Sequence, residues 1–385
     1  MFWGAALARP RAGSIVAVVG CLLALAGCST QTKSAVTVSG SKLTIYASQP
    51  PVGAGGQVAT DVLEAEKLAL IKAGGRAGKY TIAFRQLDGR ELSDNPRTAL
   101  QNSTAIAYLG EIVPGTSQIS VPINNELGLL QVSPTDTAAY LTQATPQVSG
   151  SPGTFYPTSS TYHQTFARVV PTTVQEAQAI VSEMRSLHLS KLYIGSDGSD
   201  YGASIAAEVR QDSAGHGLTV QSSPTGADAV FYGGNVVTTA ARAVGRAASA
   251  APSAKLFVPS ALYDTAFVSA LSPAAQNNLY VSSPGFSTQT LTAAGRQFEA
   301  AFRLAYGHQP QPQAIFGFEA MSALLSVLSQ AGAAAASRAV VVSDFRSLHN
   351  RQSVLGTYSI QNGDTTIAPF IFARARAGAL VPVSH

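Results

Sequence analysis

Short apolar β-type runs alternate with helical patterns from residue 42 onward, and that alternation restricts the chain to parallel α/β layers. Lys42–Ala47 reads as a strand that ends in the turn-rich Gln49–Gly56. Val58–Ala73 follows with Val62, Ala65, Ala69 and Lys72 at helical spacing, and Gly74-Gly75 stops it. The pattern then predicts a strand at Tyr80–Leu87, a helix near Asn95–Asn102 and a strand at Thr104–Leu109. A helix at Ser117–Glu126 and a strand at Leu129–Val132 complete a first series.

An irregular stretch, Gln143–Gln164, breaks the rhythm before a second series opens with a helix at Thr173–Leu187. Strand Lys191–Gly195, helix Gly202–Ser213 and strands at Leu218–Gln221, Ala229–Tyr232, Leu256–Pro259 and Asn278–Val281 follow. Helical patterns cover 293–306 and 315–331. Near the end, Gly356–Gln361 and Thr366–Ala373 flank Asn362-Gly363, whose turn chemistry predicts an antiparallel hairpin. The roughly 345 residues from position 41 onward exceed what one core usually serves, so two domains are expected.

The N-terminus constrains location rather than fold. Arg9 and Arg11 precede an apolar run from Ile15 to Ala26, too short to span a bilayer as a mature helix. Leu25-Ala26-Gly27-Cys28 closes that run and resembles a bacterial lipobox, whose cysteine becomes acylated residue one. Two or more acyl chains anchor stably where a single chain is marginal. The only other cysteine, Cys21, lies inside the removed segment, so the mature body has no disulfide and no thiol chemistry. Polar residues up to Gly40 read as a tether.

Charge excludes one class of partner. Removing Arg9 and Arg11 leaves 23 of the 25 basic residues against 21 acidic ones. No run of five like charges and no basic stripe interleaved with aromatics occurs, so no nucleic-acid partner is expected. No apolar run of about 18 residues is read after Cys28, which speaks against a permease in this polypeptide.

Catalytic motifs are equally scarce. Gly53-Ala54-Gly55-Gly56 needs a glycine at 58 to match a dinucleotide loop, and Val58 stands there. Gly195-Ser196-Asp197-Gly198-Ser199 places serine one position early for a nucleophile elbow. The six histidines form no H-x-x-x-H pair. No catalytic residue, metal ligand set or cofactor is expected, and the chain reads as no enzyme.

What remains are loops at the carboxyl ends of strands, where open α/β sheets bind ligands. Gly110–Ser117, Ser133–Thr137 and Ser196–Gly202 each join a strand to a helix N-terminus. Their hydroxyls and backbone N–H groups suit an anion, while Thr135, Asp136 and Thr137 read equally as helix caps.

At this point a family resemblance emerges. Residues 104–142, TAIAYLGEIVPGTSQISVPINNELGLLQVSPTDTAAYLT, resemble the first-lobe segment of type I periplasmic binding proteins, within them the branched-chain amino-acid (Leu/Ile/Val) binding group of ABC importers. The likeness continues through FYPTSSTYHQTFARVVPT, SKLYIGSDGSDYGASIA, ADAVFYGGN, GFEAMSALLSVLSQAG and GTYSIQNGD, in order, across nearly all of residues 42–375. It implies an α/β fold of two Rossmann-like lobes with parallel sheets, joined by a three-stranded hinge and closing on a ligand. Residues 1–27 would be signal peptide and 28–40 a lipidated tether. Residues 41–166 with 285–354 would form lobe 1, and 167–284 with 355–385 lobe 2. Crossings would fall near Ala167–Val170, Ser282–Gly285 and Val354–Gly356.

By the same resemblance, loops carrying Glu111, Ser133, Thr135, Asp136 and Thr137 would hold a ligand carboxylate. Tyr201 would pack on the ligand from the other lobe, and Asn235 would complete the site. Pro114 and Ser260 depart from the pattern, Ser260 where an acidic partner for an ammonium is expected, with Asp264 the nearest substitute. The implied function is a monomeric receptor, held outside the cytoplasm on the bilayer by acylated Cys28, that delivers an amino-acid or amide-like solute to an ABC permease. The alternative is an envelope lipoprotein that uses the fold for sensing or protein contact, with a vestigial cleft.

Overall fold

A computed structural model describes residues 36–51 and 53–383. The signal segment and Cys28 lie outside the described residues. The tether expected to reach Gly40 ends sooner, because Val36–Val38 docks on the folded body. Val38 N–H donates to Ala336 O at 2.8 Å, Arg338 N–H donates to Val36 O at 3.0 Å, and Val38 is buried.

Strands β1 (Lys42–Ser48), β2 (Arg76–Ala77), β3 (Tyr80–Leu87), β4 (Ala105–Leu109), β5 (Leu130–Ser133) and β6 (Phe166–Arg168) form the first sheet, in the order β2-β3-β1-β4-β5-β6. All pairs are parallel except β2 with β3. Strands β7 (Lys191–Ser196), β8 (Thr219–Gln221), β9 (Ala229–Gly233), β10 (Lys255–Val258) and β11 (Leu279–Pro284) form the parallel part of the second. β12 (Arg351–Ser353) pairs with β13 (Gly356–Tyr358), and β14 (Ile360–Gln361) with β15 (Asp364–Thr365). β16 (Phe370–Arg376) and β17 (Ala379–Pro382) then extend the second sheet antiparallel, in the order β17-β16-β11-β10-β9-β7-β8.

Two expectations about the third crossing fail together. Asn362 and Gly363 do make a turn with positive φ at both positions (53° and 93°), but the hairpin spans only β14 and β15. Strand β16 instead pairs with β11 in the second sheet. The chain therefore passes to the second sheet after residue 365 rather than at Val354–Gly356. The cause is a buried acid on the Ala314–Ala331 helix. Glu319 accepts from Arg351 Nε at 2.6 Å and from the Tyr358 hydroxyl at 2.7 Å, which holds β12 and β13 to that helix. Likewise Ala167 and Arg168, expected to begin the first crossing, are still paired in the first sheet. Helices at Val237–Ala250 and Arg338–Arg346 were not anticipated.

The Ala314–Ala331 helix also corrects the reading that no apolar stretch of this length follows Cys28. Residues 314–336 have a mean hydropathy of 1.4, enough by composition to cross a membrane. The helix packs instead along the Gly56–Lys72 helix as core of the first lobe, with Ala320, Met321, Ala323 and Leu324 fully buried.

Removing one partner of a buried ion pair strands the other charge, whereas replacing both by apolar groups of similar volume is often neutral. Arg351→Met should therefore lower unfolding stability by about 3 kcal/mol. The double variant Glu319→Met/Arg351→Met should recover most of it in urea titrations; additive losses would show that the pair is not coupled.

Candidate functional site

The three loops singled out by their hydroxyls converge where the two lobes meet. Gly115 has φ of +85°, and a β-carbon there would lie 2.7 Å from Tyr201 Cβ and 3.0 Å from Asn235 Nδ2. Only glycine lets the first-lobe loop approach the second lobe so closely. Asn235 Nδ2 donates across the gap to Pro114 O at 2.9 Å. Pro114, which departs from the family pattern, thus contributes through its carbonyl.

Asp136 is fully buried and its carboxylate fills the helix N-terminal anion seat. It accepts from Gly115 N–H at 2.7 Å, Ser117 N–H at 2.8 Å and its own loop's Ala138 N–H at 3.0 Å. Ser117 opens the Ser117–Asn125 helix, so the free N–H groups and the helix dipole that would favour a ligand anion are satisfied from within.

Three other expected ligand contacts are also committed internally. Ser133 Oγ donates to Glu111 O at 2.8 Å and accepts from Asp136 N–H at 2.8 Å. Thr135 Oγ1 donates to Ile112 O at 2.5 Å. Glu111 turns its side chain into the first lobe, where it accepts from Ser48 Oγ at 2.5 Å and the Tyr108 hydroxyl at 2.6 Å. These residues lock the two loops together; they bind the fold rather than face the cleft. Of Thr135, Asp136 and Thr137, which also read as helix caps, Asp136 satisfies N–H groups at a helix start, whereas Thr135 donates to a carbonyl.

Thr137 and Tyr201 differ. Both are buried, at 0% and 1% exposure, and both hydroxyls lack a hydrogen bond of good geometry to protein. The Thr137 hydroxyl lies beside Glu176 and Tyr201, and Ser260 lies beside Tyr201.

Glu176 was not anticipated. It sits on the Thr173–Ser186 helix, and its carboxylate accepts from Ser260 N–H at 2.6 Å, Ser260 Oγ at 3.1 Å and Ser282 Oγ at 2.6 Å. It places a buried acid directly against Ser260. Asp264, the suggested substitute, caps its own short helix by accepting from Ala266 N–H at 2.7 Å. Burial raises the Glu176 carboxyl above the ordinary carboxylate range, against the pull of its serine donors. The sequence did hold a signal: Thr173, Glu176, Ala177 and Ile180 share one buried helical face, and an acid on such a face is exceptional.

A second unanticipated acid, Glu208, lies two turns along the Asp200–Gly215 helix from Tyr201, with Ser204 between them. Although Glu208 is partly exposed, both its oxygens are buried and lack a well-formed partner, as does Ser204 Oγ. Burial pushes its carboxyl up to about 8, with Glu176 adding to the rise and Thr173 and Arg168 opposing it. Arg168 is the cation nearest this group of acids. Its guanidinium donates to Asp136 O and Ala138 O at 2.8 Å each and to Thr142 Oγ1 at 3.1 Å, and pairs with Asp364 at 2.9 Å.

Elsewhere, Asp61, Glu64 and His308 bring ligand-type atoms within 4.8 Å of one another, a grouping no sequence spacing foretold. Asp61 is already satisfied by Gln57 at 2.6 Å, Gln311 N–H at 2.7 Å and His308 at 3.1 Å, so the group reads as a polar network.

The Periplasmic binding protein family profile matches residues 127–379. The chain belongs to the periplasmic binding protein family. Similar solved structures include a leucine-binding protein from Thermotoga maritima, 16% identical, with a TM-score of 0.72 over 89% of this chain and 98% of that one. A branched-chain amino-acid binding protein from Streptococcus pneumoniae in complex with isoleucine aligns with a TM-score of 0.67 at 16% identity, over 89% and 100%. An ABC-transporter solute-binding protein from Rhodopseudomonas palustris in complex with 3,4-dihydroxybenzoic acid reaches 0.65 at 16% identity, over 90% and 97%. No curated protein sequence matches the chain.

Burial pushes the Glu111 carboxyl up to about 7, opposed by donation from Ser48 and Tyr108. A raised carboxyl means the folded state holds its proton longer than the unfolded chain, so Glu111 costs stability as pH rises from about 4.5 to about 7. Glu111→Gln should flatten that part of the melting-temperature profile, gaining on the parent protein as pH rises; parallel profiles would contradict the assignment.

Proposed function

We propose that this protein is a solute receptor of an ABC importer, which captures a small polar solute between its lobes and is held on the outer face of the cell membrane by lipid on Cys28. The observation that carries the reading is the meeting of the lobes at Gly115–Tyr201 and Pro114–Asn235, with the buried Thr137 and Tyr201 hydroxyls beside it still able to bond a guest. Structurally similar proteins in complex with isoleucine and 3,4-dihydroxybenzoic acid support a small solute as the class of ligand. The activity is capture and release by lobe movement rather than chemistry. The Leu25–Cys28 motif supports the anchor.

A bound solute at one hundred times its dissociation constant should stabilise the fold by about 2.7 kcal/mol. It should also shrink the radius of gyration in small-angle scattering, since closure brings the lobes together. A broad solute screen that moves neither quantity would favour the vestigial-cleft alternative, in which Asp136 fills the seat permanently.

Anchoring is tested separately by fractionation. Cys28→Ala should release the protein from membranes and Cys21→Ala should not; a Cys28 variant that stays in the membrane fraction would remove the lipid assignment.

A further inference from the structure

Resting on the lipid-anchor reading of Cys28, we infer that the end of the first lobe carrying Lys42, Lys72, Arg76 and Lys79 docks on anionic lipid headgroups. The chain itself leads there. Cys28 and Val36 are eight residues apart, a reach of at most about 29 Å. Val36 and Val38 are bonded to Arg338 and Ala336, so an acyl group on Cys28 keeps this end beside the bilayer. The short Gly332–Ala336 helix that takes Val38 also accepts the Tyr80 hydroxyl, through Ala333 O at 3.1 Å. The docked tether and the start of β3 therefore meet on one segment.

The fold gathers four cations that the sequence scatters. Lys42 on β1 and Arg76 on β2 both pair with Thr81 of β3, which puts them in one row, two strand spacings or about 10 Å apart. Arg76 donates to Thr81 Oγ1 at 3.2 Å and to Lys79 O at 3.0 Å, and Lys72 ends the helix that precedes β2. All four are exposed, and none pairs with an acid among the described residues. The segments at this end, 36–42, 71–81, 126–129 and 332–338, hold one exposed acid, Glu126. Apolar side chains stand beside the cations. Ile71 is 60% exposed, and Leu127, whose carbonyl accepts from Arg338 at 3.2 Å, is 36% exposed. Exposed cations around isolated apolar side chains suit the headgroup region, where each Lys or Arg near an anionic surface adds attraction. The cleft loops follow the carboxyl ends of β4 and β5, whereas Lys42 starts β1, parallel to β4, so docking leaves the cleft clear of lipid.

Acylated protein, purified from membranes and reconstituted in vesicles, tests the docking. A fluorophore is placed at Ala73→Cys on this end or at Ser249→Cys on a second-lobe helix, both exposed positions, and the mature chain has no other cysteine than Cys28. A quencher carried on lipid headgroups reads how near each label lies to the bilayer. In phosphatidylcholine vesicles with about a quarter phosphatidylglycerol, quenching at position 73 should be at least about three-fold that in phosphatidylcholine alone. Salt at about 0.5 M should remove the gain. So should the combined Lys42→Gln, Lys72→Gln, Arg76→Gln and Lys79→Gln substitutions, with the melting temperature close to that of the parent protein. Position 249 should not follow lipid composition. Equal quenching at position 73 in the two lipids, or a gain that survives the four substitutions, overturns docking and leaves the anchor and solute-receptor readings standing. Mature protein that carries no lipid on Cys28 overturns both the anchor and the docking.

Discussion

The cleft is organised by one buried carboxylate. Asp136 draws the Gly115 and Ser117 N–H groups of one loop and the Ala138 N–H of its own onto a single side chain. Those bonds fix the start of the Ser117–Asn125 helix and the path of Gly115, and so fix how closely Tyr201 and Asn235 can approach. Because a helix N-terminus presents several unpaired donors, an acid placed there satisfies in one step what would otherwise need a ligand or water. The same choice occupies the donors that this helix start would otherwise offer an anion.

Arg168 carries this arrangement to the hinge. It ends β6 at the first crossing, bonds the Asp136 and Ala138 carbonyls, and pairs with Asp364 in the hairpin that precedes the third crossing. The backbone reinforces the link, since Arg168 N–H donates to Gly363 O at 2.8 Å and Thr173 N–H to Thr137 O at 2.7 Å. The cleft loops and two of the three crossings therefore share one polar network. A change in the cleft that displaces Asp136 would be felt by the segments about which the lobes turn.

Most of the fold was legible in the sequence because its signals are local. The Tyr80–Leu87 strand and the 293–306 helix fall where their periodicity places them. What was not legible depends on contacts distant in sequence. The third crossing was misplaced because Glu319 draws Arg351 and Tyr358 toward the first lobe across more than thirty positions. The site was legible in its loops but not in its atoms. Tyr201, Asn235 and Thr137 do gather where the lobes meet, whereas Glu111, Ser133 and Thr135 turn inward. Glu176 escaped notice because it lies on a helix face rather than at a strand end, over eighty positions from the serine it serves.

The account stands on where the Asp136 side chain sits when the cleft is loaded. A crystal structure of the protein in complex with whichever solute binds most tightly measures this directly. The account predicts that Asp136 still lies within hydrogen-bonding distance of Gly115 N and Ser117 N, with the guest on the Thr137 and Tyr201 hydroxyls. An Asp136 side chain turned away, with a ligand carboxylate on those two N–H groups, would contradict it.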